Sequence, residues 1–276
     1  MPVLNAIAPD KLARLVGTPA SPLVVDLRHD PGGTTLPGAV PRDPAGLADW
    51  SGAIGERPVI LVDETGREAA PACAALLRSD GRTAETLEGG MAAWVAAGLP
   101  LLRLDHLPPR RPDGRTWWVT RARPKVDRIA CPWLIRRFVD PDARFLYVAA
   151  SDVLAVASET GAEPFDIAAD TVFWSHRGEL CTFDVMIEAF GLGGHAPLAH
   201  LAAIVRGADT ARPDLAPEAA GLLAISLGLS RLHADDHQQL EAGMAVYDAL
   251  HRWCRDARDE THDWTSHKPA AAKAPA

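Results

Sequence analysis

The sequence lacks any apolar run near the ~18 consecutive residues that a membrane-spanning helix needs, so a bilayer span is excluded from the reading. Its first residues, Met1-Pro2-Val3-Leu4-Asn5, carry no basic start and no apolar stretch of signal-peptide type, and a cytoplasmic setting is expected. Cysteine is sparse: Cys73, Cys131, Cys181 and Cys254 lie far apart with no CxxC or CxxH spacing, which argues against a disulfide framework or a zinc finger. No internal repeat and no helix-turn-helix signature is visible. What remains is the composition of an ordinary folded protein, 47% hydrophobic and 23% charged over 276 residues, enough for about two domains.

The net charge of −8 is unevenly spread. Residues 107–137 hold nine basic side chains against two acidic ones, a local +7, leaving 19 basic and 34 acidic residues elsewhere. One basic segment in an acidic chain points to a local anion site or a partner surface, and away from a general nucleic-acid coat. A punctuated stretch, Leu104 to Arg115 with Pro108, Pro109, Pro112 and Gly114, reads as a linker over 105–115 between two blocks.

The first block alternates apolar runs, Pro22–Leu27 and Pro58–Asp63, with helical patterns at Ala8–Leu15, Ala69–Ser79 and Gly90–Ala97, which predicts an α/β domain with a parallel sheet. Its landmarks fall in a specific order: Asp26-Leu27-Arg28, then Leu36-Pro37-Gly38-Ala39, then a loop opening at Asp63, then Gly89-Gly90 with Trp94 and Gly98-Leu99-Pro100. In this the block resembles the rhodanese-like family over residues 1–104. The resemblance implies a loop after the second strand whose backbone N–H groups cradle an anion and whose first residue is a persulfide-forming cysteine. Here that residue is Asp63, which cannot carry sulfur, so a rhodanese-like fold without sulfurtransferase activity is expected.

The second block, 116–256, opens with strand-like Trp117–Thr120 and Ala143–Val148. Further strand candidates follow at 165–167 and 171–176, and then helices at Cys181–Phe190, Pro197–Arg206, Ala216–Leu227 and about Ala234–Cys254. This predicts an α+β, mainly helical domain, and residues 257–276 read as a disordered tail. Three stretches, Trp118–Phe138, His176–Asp184 and Pro217–Tyr247, resemble the C-terminal domain of the chromate-resistance B protein family. The resemblance implies a part in bacterial chromate tolerance, as an accessory, sensor or regulator.

Three kinds of site are candidates. Arg121, Arg123, Lys125 and Arg128 supply the forked donors that a tetrahedral dianion such as chromate needs, with Arg121 and Arg123 expected on one side of a strand end. Cys131, just before Pro132, is expected at a helix cap, where a thiol near Arg128 has a lowered pKa and is easily oxidised. His233 and His237, four apart, with Asp236 and with His176 elsewhere, form a candidate site for a divalent metal such as Zn, Mn or Fe. Glu179, Asp184, His200 and Asp209 are scattered polar residues able to converge on it.

Two functional classes are carried forward. One is a non-enzymatic chromate-resistance protein binding a small oxyanion or metal ion. The other is an enzyme: a metal-dependent oxidoreductase or hydrolase on His176, Asp236 and His237, or a sulfurtransferase using Cys73 or Cys131. A transcriptional regulator is a third reading, with nucleic acid disfavoured by the overall acidity and no membrane partner. Apolar positions on the helices suit self-association as well as core.

Overall fold

A computed structural model describes residues 5–260. The disordered-tail expectation falls mainly on 261–276, outside the described residues. The first half contains β1 (Ala6–Ile7), α1 (Pro9–Leu15), β2 (Leu23–Asp26), β3 (Thr34–Thr35), β4 (Ala39–Pro41), α2 (Leu47–Ser51), β5 (Val59–Val62), α3 (Ala69–Ser79), β6 (Ala84–Leu87), α4 (Gly90–Ala96) and β7 (Leu102–Arg103). Strands β1, β6, β5, β2 and β4 line up in that order as a parallel sheet, while β3 and β7 make a small antiparallel pair. All four residues of β2 and of β5 are buried, because helices cover both faces of a parallel sheet and leave no solvent side for alternation.

The second half contains β8 (Trp117–Arg121), α5 (Asp127–Leu134), β9 (Arg144–Val148), α6 (Val153–Thr160), β10 (Glu163–Pro164), α7 (Thr182–Ala189), α8 (Ala196–Asp209), α9 (Ala219–Leu232) and α10 (Asp236–Asp256). Its three strands pair in the order β10, β8, β9, all parallel with α5 and α6 between them in sequence, and the later helices make the domain mainly helical, as expected. The segments 165–167 and 171–176 do not form strands; a single bridge, Phe165 to Trp174, ties them together. No helix among the described residues is long and apolar enough to cross a membrane.

The apolar core runs through both halves. Leu12, Val16, Leu36 and Trp94 share one cluster with Trp118, Trp133, Phe138 and Tyr247. Gly17 has φ +76, and a Cβ there would collide with the Phe138 ring, so glycine is required where the two halves meet. The Gly38 amide donates to the Phe138 carbonyl at 2.5 Å, the Arg103 amide to the Phe190 carbonyl at 3.0 Å, and Arg57 pairs with Asp142 at 3.0 Å.

Helix α5 starts earlier than Pro132 suggests. It begins at Asp127, an acidic residue in the first turn where the helix dipole favours it, and Pro132 lies inside. A proline there has no N–H to give the Arg128 carbonyl four residues back. That carbonyl instead accepts the Tyr147 hydroxyl at 3.4 Å. After Leu134 the helix widens into a π-helical turn, Ile135–Val139.

Candidate metal centre

The carboxyl ends of parallel strands are where loops gather binding groups in open α/β sheets, and the second sheet follows that rule. From the end of β8 the chain turns through Arg123 (φ +59) and Val126 (φ +33) to place Asp127 at the start of α5. From the end of β10 it turns through Asp166 (φ +51). Positive φ at a β-branched valine costs about 1–3 kcal/mol, and such strain concentrates at binding sites. The Asp166 amide donates to the Trp174 carbonyl at 2.8 Å, and this contact brings His176 back over the strand end.

The result is a cluster built from four elements. Asp127, Asp166 and His176 each offer one ligand atom, and these atoms all lie within 4.8 Å of one another. His176 Nε2 is 3.5 Å from Asp166 Oδ1, 3.6 Å from Asp127 Oδ2 and 3.2 Å from Oδ2 of Asp209, the last residue of α8. Asp127 is fully buried. Its Oδ2 accepts the Thr182 amide at 2.7 Å at the start of α7, but its Oδ1 is buried with no hydrogen-bond partner. Asp166 Oδ1 accepts the Thr182 hydroxyl at 3.0 Å, which orients the second carboxylate. Arg128 Nε lies 3.1 Å and an Arg121 amino nitrogen 3.5 Å from Asp166 Oδ2.

The electrostatics follow from crowding acids together in a buried place. Burial, and next the neighbouring Asp209 and Asp166, push the Asp127 carboxyl well above its ordinary range. Hydrogen bonds to Asp166 and then Asp209 raise His176 to about 10, so its imidazolium supplies the positive charge that the acids require. Two buried carboxylates and one imidazole around one point, one oxygen unpartnered and the Asp209 carboxylate beside the imidazole, form a donor set suited to Mn, Fe or Zn.

Of the residues singled out in the sequence, His176 and Asp209 enter this cluster. Asp236 and His237 do not: Asp236 accepts the Arg123 amide at 3.1 Å, and the His237 ring stands edge-on to Tyr147 at 5.4 Å. The expected His233–His237 pair on one helical face also fails. His233 ends α9 in extended backbone, and a new helix starts after Asp235, whose carboxylate accepts the Gln238 amide at 2.8 Å. Asp184 is taken up by Arg206 at 2.7 Å, Glu179 lies at the surface near Arg212, and His200 packs on Trp253.

The four basic residues do not converge as a set either. Arg121 and Arg128 flank the cluster, with Arg128 also donating to the Ala122 carbonyl at 3.0 Å. Arg123 does not share a face with Arg121, because its left-handed backbone sends its guanidinium to the carbonyls of Ser230, His233 and Ala234 at the end of α9. Lys125 is exposed and unpaired among the described residues. The expected cap position of Cys131 is wrong too: the thiol sits in the middle of α5, fully buried, and burial drives its pKa far up instead of down. Asp127 and Asp166 do not stand out as ligands in the sequence: Asp166 lies within the strand candidate 165–167, and Asp127 lies in the basic segment 107–137.

In the first half, Asp63 stands at the mouth of the loop after β5. Its carboxylate accepts backbone amides from Thr65 at 3.2 Å, Glu68 at 2.9 Å and Ala70 at 2.9 Å, and from Gly66. The anion-cradling loop is thus filled by a side chain of the protein itself. Cys73 is buried in α3, and burial followed by the Asp63 charge raises its pKa.

Comparison with known proteins matches these two halves separately. Residues 118–254 match the family model described as ChrB, C-terminal domain. The protein ChrB of Cupriavidus metallidurans is 37% identical over 150 residues, 53% of this chain and 44% of that protein, so the chain spans less than half of this relative. Among solved structures, a thiosulfate sulfurtransferase from Pseudomonas aeruginosa is similar at 27% identity and TM-score 0.34, over 38% of this chain and 21% of that one. A rhodanese homologue from Thermus thermophilus is similar at 29% identity and TM-score 0.27, over 32% of this chain and 98% of that one. The chain therefore carries a domain of the ChrB C-terminal family at residues 118–254, with rhodanese-like structural neighbours for the part before it.

Proposed function

We propose that this is a chromate-resistance-related, cytoplasmic protein whose second domain binds one divalent metal ion through Asp127, Asp166, His176 and Asp209. The observation that carries the reading is Asp127 Oδ1, a fully buried carboxylate oxygen with no partner, set beside a second buried carboxylate and an imidazole. A buried, unpaired acid is expensive unless a cation completes it. With His176 neutral as a ligand, the three acids outnumber Arg121 and Arg128 by one charge, so a bound divalent ion, taking the place of the imidazolium proton, brings the site to a net +1 and lets it receive a small oxyanion such as chromate. Arg121, 47% exposed, stands at its rim. Relationship to ChrB supports the chromate link.

The reading includes a rhodanese-like half that transfers no sulfur. It is supported by the Asp63 carboxylate filling the anion loop and by the raised pKa values of both Cys73 and Cys131. Thiosulfate treatment followed by mass spectrometry is expected to show no single-sulfur adduct.

Calorimetric titration of chelator-stripped protein with Mn²⁺ or Zn²⁺ tests the metal reading. One saturable site is expected, weakened at least tenfold by His176→Ala and by Asp209→Asn, both at the accessible side of the cluster. Equal binding by these variants would remove the reading.

A further inference from the structure

A second concave site opens at the opposite, amino-terminal end of the three-stranded sheet, and the metal cluster plays no part in it. Arg115 precedes β8, and Arg144 opens the neighbouring parallel strand β9, directly opposite Trp117. Arg136 and Arg137 come from the π-helical turn Ile135–Val139, and His237, Glu241 and Met244 of α10 close the far side. These side chains line a cavity of about 490 Å³.

Four guanidinium groups face it against two lining carboxylates, Asp142 and Glu241, and both carboxylates are already engaged. Asp142 pairs with Arg57 at 3.0 Å, and Glu241 with Arg136. Arg137 is held from behind by two 2.8 Å bonds to Asp248. These contacts immobilise Arg136 and Arg137 without neutralising the cavity. Arg115 and Arg144 have no ion pair and no side-chain hydrogen bond among the described residues. Arg144 instead lies on the Trp117 ring, 4.8 Å from its centroid, which orients the guanidinium and keeps its fork free. Asp113, outside the lining, feels the Arg115 and Arg144 charges without pairing with either, and its oxygens accept the Arg115 amide and the Trp117 indole, both at 3.1 Å.

A solvated basic face would be convex, with its arginines mobile. Here Arg136 and Arg137 are locked and project from a π-helical turn, a local widening that recurs at functional sites, and Arg144 is stacked. We infer that this cavity binds a small molecule bearing a diphosphate group, with Arg115 and Arg144 as its forked donors and Arg136 and Arg137 behind them. Guanidinium forks match phosphate oxygens in pairs. The volume lies within the ~300–1,000 Å³ range of small-molecule sites, larger than a single tetrahedral ion fills. Asp142 and Glu241 in the lining, with Asp113 outside it, disfavour a continuous polyanionic strand.

The test is calorimetric titration of the full chain with pyrophosphate at constant ionic strength, with chelator present to silence the metal site. One saturable site is expected. Arg115→Gln, an exposed position whose side chain supports nothing in the fold, is expected to weaken it at least tenfold. Arg144→Gln is expected to do the same while circular dichroism stays unchanged, and Asp209→Asn is expected to leave it intact. Absence of saturable binding, or undiminished binding by Arg115→Gln, overturns the proposal. So does displacement of pyrophosphate by random duplex DNA that binds more tightly, since that assigns the face to nucleic acid.

Discussion

His176, on an irregular segment after Trp174, reaches to 3.2 Å from Asp209 at the far end of α8. That one contact joins a loop from the sheet to a helix of the bundle, and His176 also reaches the buried pair Asp127 and Asp166. A cation at their centre would link four elements distant in sequence, so metal binding and stability of the second domain are coupled. Mn²⁺ at about 100 times its Kd is expected to stabilise the fold by about 2.7 kcal/mol, read as a rise in melting temperature that chelator reverses. A metal that binds without shifting the melt would show that the four elements are not joined by it.

In the first half, Asp63→Ala would leave four loop amides without their acceptor. Hydrogen bonds to a charged group, once broken in a partly buried loop, cost enough that a loss of about 3 kcal/mol is expected. Urea unfolding measures it. A change under about 0.5 kcal/mol would mean that the loop does not depend on its internal anion.

The two halves meet at Gly17 and Phe138, and Gly17→Ala is expected to destabilise the whole chain by about 2–4 kcal/mol through overpacking and left-handed strain. In a Phe138→Leu background the same change should cost less, because the ring that opposes the new methyl is gone. Additive effects in the double mutant would contradict direct contact.

Acidification offers a separate check, away from the metal cluster. His251 is buried against Trp133, Phe138 and His195, and burial first, then the His195 and Arg255 charges, pushes it down to about 4. Asp248 and Asp256 oppose that shift. The unfolded chain, with its histidine near 6.5, takes up the proton first as pH falls. Stability from this group is therefore complete above about 6.5 and is lost between there and about 4, an effect of about 3 kcal/mol at most. Unfolding titrations at pH 7 and pH 5 should show the loss, and His251→Phe should reduce it.

The order of elements was legible because it is local. The buried runs Leu23–Asp26 and Val59–Val62, and the helix at Ala69–Ser79, carry their period in neighbouring residues. The site was only half legible. His176 and Asp209 stood among scattered polar residues, but Asp127 counted only as an acid of the basic segment and Asp166 as part of a strand candidate, since the fold alone brings 127, 166, 176 and 209 together. The i, i+4 spacing of His233 and His237 misled because a helix boundary falls between them. Asp235, capping the Gln238 amide, is the local signal that marks it. Pro132 misled similarly: it sits inside a helix because Tyr147, remote in sequence, reaches the carbonyl that the proline leaves free.

The most direct test of the central claim is anomalous diffraction from crystals grown with Mn²⁺. One strong peak is expected, bounded by Asp127, Asp166, His176 and Asp209, at the ~2.0–2.2 Å distances usual for nitrogen and carboxylate ligands of a borderline divalent ion. A fully occupied peak elsewhere, at Asp236 and His237 for example, with none beside Asp127, would contradict it.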